Sequence, residues 1–225
     1  EIRFDKRKAV GILQIGIPSA FQYSLFAFAN LFVQSSVNSF DHVLVEGNSA
    51  AANADPLVYD MMAAFYTACS SFIAQNFGAR KKKRILQTYL ICLFYSFITS
   101  LVLGVGIYLA RYPFLYLFTS DKAVVEAGIT RLSIMALSYS ASAFMDASIA
   151  ASRGLGKTAV PTFVVVMGSC VFRIIWIYTI FAYFHTIQSL YILYVFSWGI
   201  TAIAENIYFF HVYRHTLTGK TESHL

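Results

Sequence analysis

Charge is scarce in this chain. Asp, Glu, Lys and Arg make up 12% of its 225 residues, about half of the ~25% usual in soluble domains. Hydrophobic residues reach 58%. A chain of this length could form one or two water-soluble domains, but such domains would expose large apolar patches, so the bilayer is the expected solvent. Cys69, Cys92 and Cys170 stand alone in apolar runs without CxxC spacing. They read as packing residues, not as a disulfide frame or a metal site. Neither HExxH nor GxSxG occurs, which speaks against a membrane-embedded enzyme. No cleavable signal opens the chain, because its first uncharged run is far too long for a signal's apolar core. The first residue, Glu1, reads as a mark of a processed protein or an excised piece.

What is present is a series of long apolar runs. Residues 9–40 carry no charge, and further runs cover about 49–78, 85–110, 124–152, 158–183 and 187–213. At about 1.5 Å of rise per residue each can cross roughly 30 Å of hydrocarbon, some with tilt. The expected fold is an all-α polytopic membrane protein of six transmembrane helices, a single membrane domain over residues 1–225. Between the first two runs, DHVLVEGNSAAANAD reads as a loop carrying Asp41, Glu46 and Asp55 and no base. Tyr112 and Tyr116, four apart, fit a segment lying flat at the interface. Ser120-Asp121 is a helix N-cap signal.

The basic residues orient the series. If the helix ends alternate between two sides, one side receives Arg3, Lys6, Arg7 and Lys8, then Arg80 to Arg84, then Arg153 and Lys157, then Arg214 and Lys220. The other receives Arg111, Lys122 and Arg131, and only Arg173 lies well inside a span. The positive-inside rule puts the first side, and both ends of the segment, in the cytoplasm.

GLGKT (Gly154 to Thr158) is similar to the tail of a phosphate-binding loop. Ala151 stands where that loop needs its first glycine, and a helical run precedes it rather than a strand. The stretch reads instead as a tight turn, with Gly154 or Gly156 in the left-handed conformation that ends a helix.

Ionisable groups inside a membrane are costly. Asp146 lies seven residues, roughly 10 Å of rise, from Arg153. It reads as a site of proton exchange, since burial disfavours a charged acid, or as an acid capped by hydroxyls such as Ser142. Glu205, at nearly the same depth, either shares a cavity with Asp146 or faces solvent near its helix end. Asp60 and Arg173 both fall in the outer half and match in depth as a pair. They read equally as an acid wetted by an outer vestibule and an arginine snorkelling outward. Asn53 lies seven residues before Asp60, on the same helix face. Gln22, Asn30, Gln34 and Asn38 recur at multiples of four on the first span, as the lining of an aqueous pathway or as interhelical hydrogen-bonding groups. Gly16 and Pro18 near its basic end could loosen that helix for gating. Tyr23, Phe26, Tyr66, Tyr139 and Trp176 could stack on aromatic cations. His42, His185, His211 and His215 fall near helix ends and read as interfacial rather than as metal ligands.

Five segments carry a family resemblance: GIPSAFQYSLFAFANLFVQSSVNSF, GNSAAANADPLVYDMMAAFYTACSSFIAQNFGARKKKR, MDASIAASRGLGKT, FRIIWIYTIF and SWGIT. In this order, over essentially the whole chain, they resemble the second half of MATE multidrug and toxic compound exporters. The resemblance implies one six-helix lobe of a twelve-helix transporter. It would be an H+- or Na+-coupled antiporter half, exporting organic cations or other amphipathic compounds. It implies no enzymatic activity, and no cofactor beyond the coupling ion. The partners implied are the lipid bilayer, a small amphipathic substrate and an amino-terminal six-helix lobe, with no nucleic acid. The location implied is a bacterial inner membrane. The other readings are a lipid-linked saccharide flippase of the same wider group, or a structural half inactive without its partner lobe. Asp146, ahead of an Arg-Gly turn on the fourth helix, matches a coupling-ion position of the family. Some members carry an acid on the first helix; this chain has none there, which shifts weight to Asp146, alone or with Glu205.

Overall fold

The computed structural model describes residues 5–216; Arg3 and Lys220 of the basic pattern lie outside the described residues. Among these, every regular element is helical. Six helices are long and apolar enough to cross a membrane: Lys8–Val37, His42–Gly78, Lys82–Leu109, Lys122–Gly154, Ala159–Phe184 and Ile187–His215. They are numbered spans 1 to 6.

Span 2 begins at His42, not at Ser49, so most of the stretch read as an acidic outer loop is helix. Asp41 caps it by accepting from the backbone N–H of Leu44 at 2.9 Å. The span is two helices, His42–Ala52 and Ala54–Gly78, meeting at Asn53. Pro56 has no N–H to give the carbonyl of Ala52, and it is tolerated because the restart at Ala54 places it in a first turn. The Asn53 amide donates to the carbonyls of Ser49 and Ala50, both at 3.1 Å, and so occupies backbone groups at the break. Asp121 caps span 4, as its sequence context predicts, by accepting from Ala123 at 2.8 Å. The segment containing Tyr112 and Tyr116 is a short helix, Arg111–Tyr116, with both tyrosine rings exposed.

Span 4 is the hub and packs against spans 2, 3 and 6. Its buried face is rich in small residues, among them Ser142, Ala143, Ala147, Ser148 and Ala151, which let helix backbones approach closely. The backbones meet at Gly104 of span 3, where a Cβ would fall on the carbonyl oxygen of Ala136. Because the obstacle is backbone, no rotamer relieves it. Gly104→Ala is expected to lower stability by about 1–3 kcal/mol, read as a lower thermal midpoint in lipid nanodiscs.

Span 4 ends in a Schellman turn. The N–H of Lys157 donates to Ser152 at 3.0 Å and that of Gly156 to Arg153 at 2.8 Å. Gly156 holds φ +75, as the left-handed position of that turn requires. GLGKT is therefore a helix stop. The basic helix ends gather on one side: Lys82 donates to the Arg214 carbonyl at 2.9 Å, and Thr158 to that of Gln14 at 3.5 Å. The second contact has a local cause. Pro18 cannot bond the Gln14 carbonyl, and the Thr158 hydroxyl takes the place of the missing N–H.

Candidate functional site

A cavity of about 420 Å³ opens between spans 1, 2, 4, 5 and 6, within the size range of small-molecule sites. Three charged side chains line it: Asp55, Asp146 and Arg153. Its apolar wall is aromatic. Tyr59 meets Trp198 edge-on with ring centroids 6.0 Å apart, and Tyr194 lies 5.3 Å from Trp198. Phe26 and Tyr66 line it as well, and Tyr23 stands at its margin, 61% exposed.

Asp146 and Arg153 are seven residues apart on one helix, and both face this cavity, with the guanidinium in electrostatic reach of the carboxylate. Depth arithmetic alone leaves them apart; the length of the arginine side chain closes the gap. Arg153 also donates to the Gln22 amide oxygen at 2.9 Å, tying span 1 to span 4. Ser142 does not cap Asp146, because its hydroxyl donates to the Tyr139 carbonyl at 2.8 Å.

Towards the other end of the cavity, Asp55 is held from behind. Arg131 donates to its Oδ2 at 2.5 Å and the Tyr139 hydroxyl to its Oδ1 at 2.5 Å. Arg131 also donates to Asn48 at 2.7 Å. Arg131 is thus a buried residue of span 4 and not, as the charge pattern has it, a base of the far side. Asp55 is a wall residue and not a loop acid.

Arg173 is fully buried. It donates to Asn30 at 2.6 Å and to Ser197 at 3.3 Å, between the rings of Phe26 and Tyr194 at 4.5 and 4.6 Å. Span 5 carries π-helical turns at Val166–Val171 and Ile177–Phe181 on either side of it. Asp60 is exposed and does not line the cavity, so the Asp60–Arg173 pair does not form. Arg173 does not snorkel either; it clasps spans 1 and 6.

The remaining candidates divide. Gln22 and Asn30 line the cavity, each accepting from a buried or half-buried arginine, so they serve both as lining and as interhelical ties. Gln34 donates to Asn38 at 3.0 Å away from the cavity, and Asn53 is spent on the break in span 2. Tyr139 supports Asp55 from behind the wall. Trp176 donates to the Ser189 carbonyl at 2.9 Å, also outside the cavity. Glu205 is fully buried but does not share the cavity with Asp146. Sequence reasoning missed Asp55, Tyr59, Tyr194 and Trp198 as lining. The first two had a signal: Asp55, Tyr59 and Tyr66 stand at helical spacing on one face once Pro56 is read as a first-turn residue.

A cavity with aromatic walls and a carboxylate on its surface suits a flat or amphipathic organic cation. The rings offer cation–π surface, and Asp146 is the lining carboxylate without a hydrogen-bonded arginine.

The MatE family model matches residues 18–179, more than two thirds of the chain. Among solved structures, the chain shares its fold with a MATE transporter in the straight conformation (TM-score 0.87, 18% identity, 95% of this chain and 48% of that one). It is also similar to an outward-facing multidrug resistance MATE family transporter of the MOP superfamily (0.85, 19%, 95% and 48%). The Vibrio cholerae MATE transporter VcmN in the bent form matches too (0.81, 18%, 95% and 49%). The chain thus spans about half the length of the structures it matches. No curated protein matches it.

Proposed function

Because the chain belongs to the MatE family, we propose that it is the carboxy-terminal six-helix lobe of an ion-coupled exporter of organic cations and other amphipathic compounds. The supporting observation is the cavity itself, an aromatic-walled space in which Asp146 is the one lining carboxylate not fastened by a hydrogen-bonded arginine. A cationic substrate and an H+ or Na+ then compete for one carboxylate. Occupancy by either biases the balance between inward-open and outward-open states. Asp60 and Asn53, on the exposed side of span 2, belong in this reading to the face turned towards the amino-terminal lobe. The membrane is a bacterial inner membrane, with the basic helix ends on the cytoplasmic side.

The test is transport by the complete chain, this lobe with its amino-terminal partner, reconstituted in vesicles. Efflux of a fluorescent lipophilic cation should follow an imposed H+ or Na+ gradient and stop when that gradient is dissipated. Flux indifferent to both gradients would overturn the coupling. No flux of any cation, together with flux of a lipid-linked saccharide, would replace the substrate class.

A further inference from the structure

Glu205 is fully buried in span 6, and both its carboxyl oxygens lack a hydrogen-bond partner among the described residues. Its neighbours are committed elsewhere. Asn206 accepts from the Tyr89 hydroxyl at 2.6 Å and donates to the Ala202 carbonyl at 2.8 Å. One turn away, Thr201 donates to the Ser197 carbonyl at 2.7 Å and lies 3.0 Å from Ser169. The positive charge that acts on Glu205 is Arg153 of span 4, which acts on Asp146 as well and is in ion-pair contact with neither among the described residues. Arg153 keeps one buried nitrogen, Nε, without a partner.

The other groups facing Glu205 do not supply a second positive charge. Tyr208 lies beside it on its own helix, and Tyr89 of span 3 is bonded to Asn206. Span 5 meets span 6 one turn away through Ser169 and Thr201, 3.0 Å apart, and carries no charge between Lys157 and Arg173. Span 1 carries no charge over residues 9–40.

Two acids therefore depend on one guanidinium. A carboxylate sealed from water without a partner is strongly disfavoured, and of the two acids only Glu205 is sealed, so it holds a proton unless Arg153 turns to it. We propose that Glu205 is a second proton-carrying carboxyl, which exchanges the Arg153 guanidinium with Asp146. This rests on Asp146 being the cavity carboxylate. When a cationic substrate pairs with Asp146, Arg153 turns to Glu205, which ionises and gives its proton to water. When the substrate leaves, Arg153 returns to Asp146 and Gln22, and Glu205 takes a proton back. Only the O–H bond of the carboxyl breaks and re-forms. The buried hydroxyls of Ser152 and Thr162, also unpartnered, are polar groups able to hold water on the way to the basic end. The exchanged species is a proton rather than a metal ion, which needs several converging oxygens. Arg153 is a positioning residue in this exchange.

The test is infrared difference spectroscopy of the complete transporter in lipid, following the C=O stretch of protonated carboxyl groups at neutral pH. Wild type should show a band that is lost in Glu205→Gln and shifted in Glu205→Asp, which also guards against misfolding of the first variant. Asp146→Asn frees Arg153 for Glu205 and should abolish the same band; adding Arg153→Gln should restore it. Tetraphenylphosphonium should bleach the band in wild type and release a proton to a pH dye. A band unchanged in Glu205→Gln overturns the proposal, even if Asp146→Asn stops transport as the coupling reading requires. A Glu205 band indifferent to Asp146→Asn overturns the exchange. A band removed by Na+ at constant pH overturns the choice of a proton.

Discussion

Asp146→Asn is expected to abolish gradient-driven efflux while leaving the protein folded and inserted. Coupling needs a site where substrate and ion exclude one another, and the cavity offers two carboxylates for that role. Asp55 is bonded on both oxygens, by Arg131 and by Tyr139, so a substrate would have to displace a buried arginine to use it. Asp146 accepts no such bond and faces the cavity. Asparagine keeps its shape and removes its charge. An organic cation with an N–H donor then loses a charge-assisted hydrogen bond of about 1.5–3 kcal/mol, roughly 10- to 150-fold in affinity. With no carboxylate for the substrate to occupy, its binding no longer exchanges with the ion, so the rate should no longer respond to a pH or Na+ step. Asp146→Glu should restore part of the response. Efflux from vesicles under imposed gradients measures both; wild-type coupling in Asp146→Asn would end the proposed mechanism.

The six spans were legible because crossing hydrocarbon demands about 20 apolar residues in sequence, and such runs are local. So were the Asp121 cap and the turn at Gly156, each a matter of a few adjacent residues. The start of span 2 was not. A charged residue within a few turns of a membrane surface costs little, so Asp41, Glu46 and Asp55 read as a loop although all but Asp41 lie in helices. The side-chain pairings were out of reach for a different reason. Arg153 meets Gln22 across 131 positions and Arg173 meets Asn30 across 143. Periodicity puts Gln22 and Asn30 on one stripe but says nothing about which helix faces it. Depth counting from the basic turns put Asp60 beside Arg173 and Glu205 beside Asp146. Rotation about the helix axis then separated both pairs, turning Asp60 outward and sealing Glu205 behind the wall.

Rotation also decides how the Asp55–Arg131 pair should respond to mutation. Removing one partner of a buried ion pair costs about 3–5 kcal/mol because the other charge stays buried. Here the two partners are not equally buried: the Arg131 side chain is 8% exposed and that of Asp55 28%. Asp55→Asn leaves the deeper charge with only Asn48 and the Tyr191 ring, 5.8 Å away. It should approach the full cost, about 3 kcal/mol. Arg131→Gln leaves a carboxylate that still accepts from Tyr139 and faces the cavity, where water screens it, and should cost about 1–2 kcal/mol. The double variant removes both charges and should be more stable than Asp55→Asn alone, a coupling that thermal unfolding of all four proteins in lipid would measure. Equal losses, or strict additivity, would mean that the pair is no more than a surface contact. The larger loss in Asp55→Asn would mean that the arginine, not the acid, needs its partner. That ordering suits a cavity wall that must present Asp55 without freeing it to compete with Asp146.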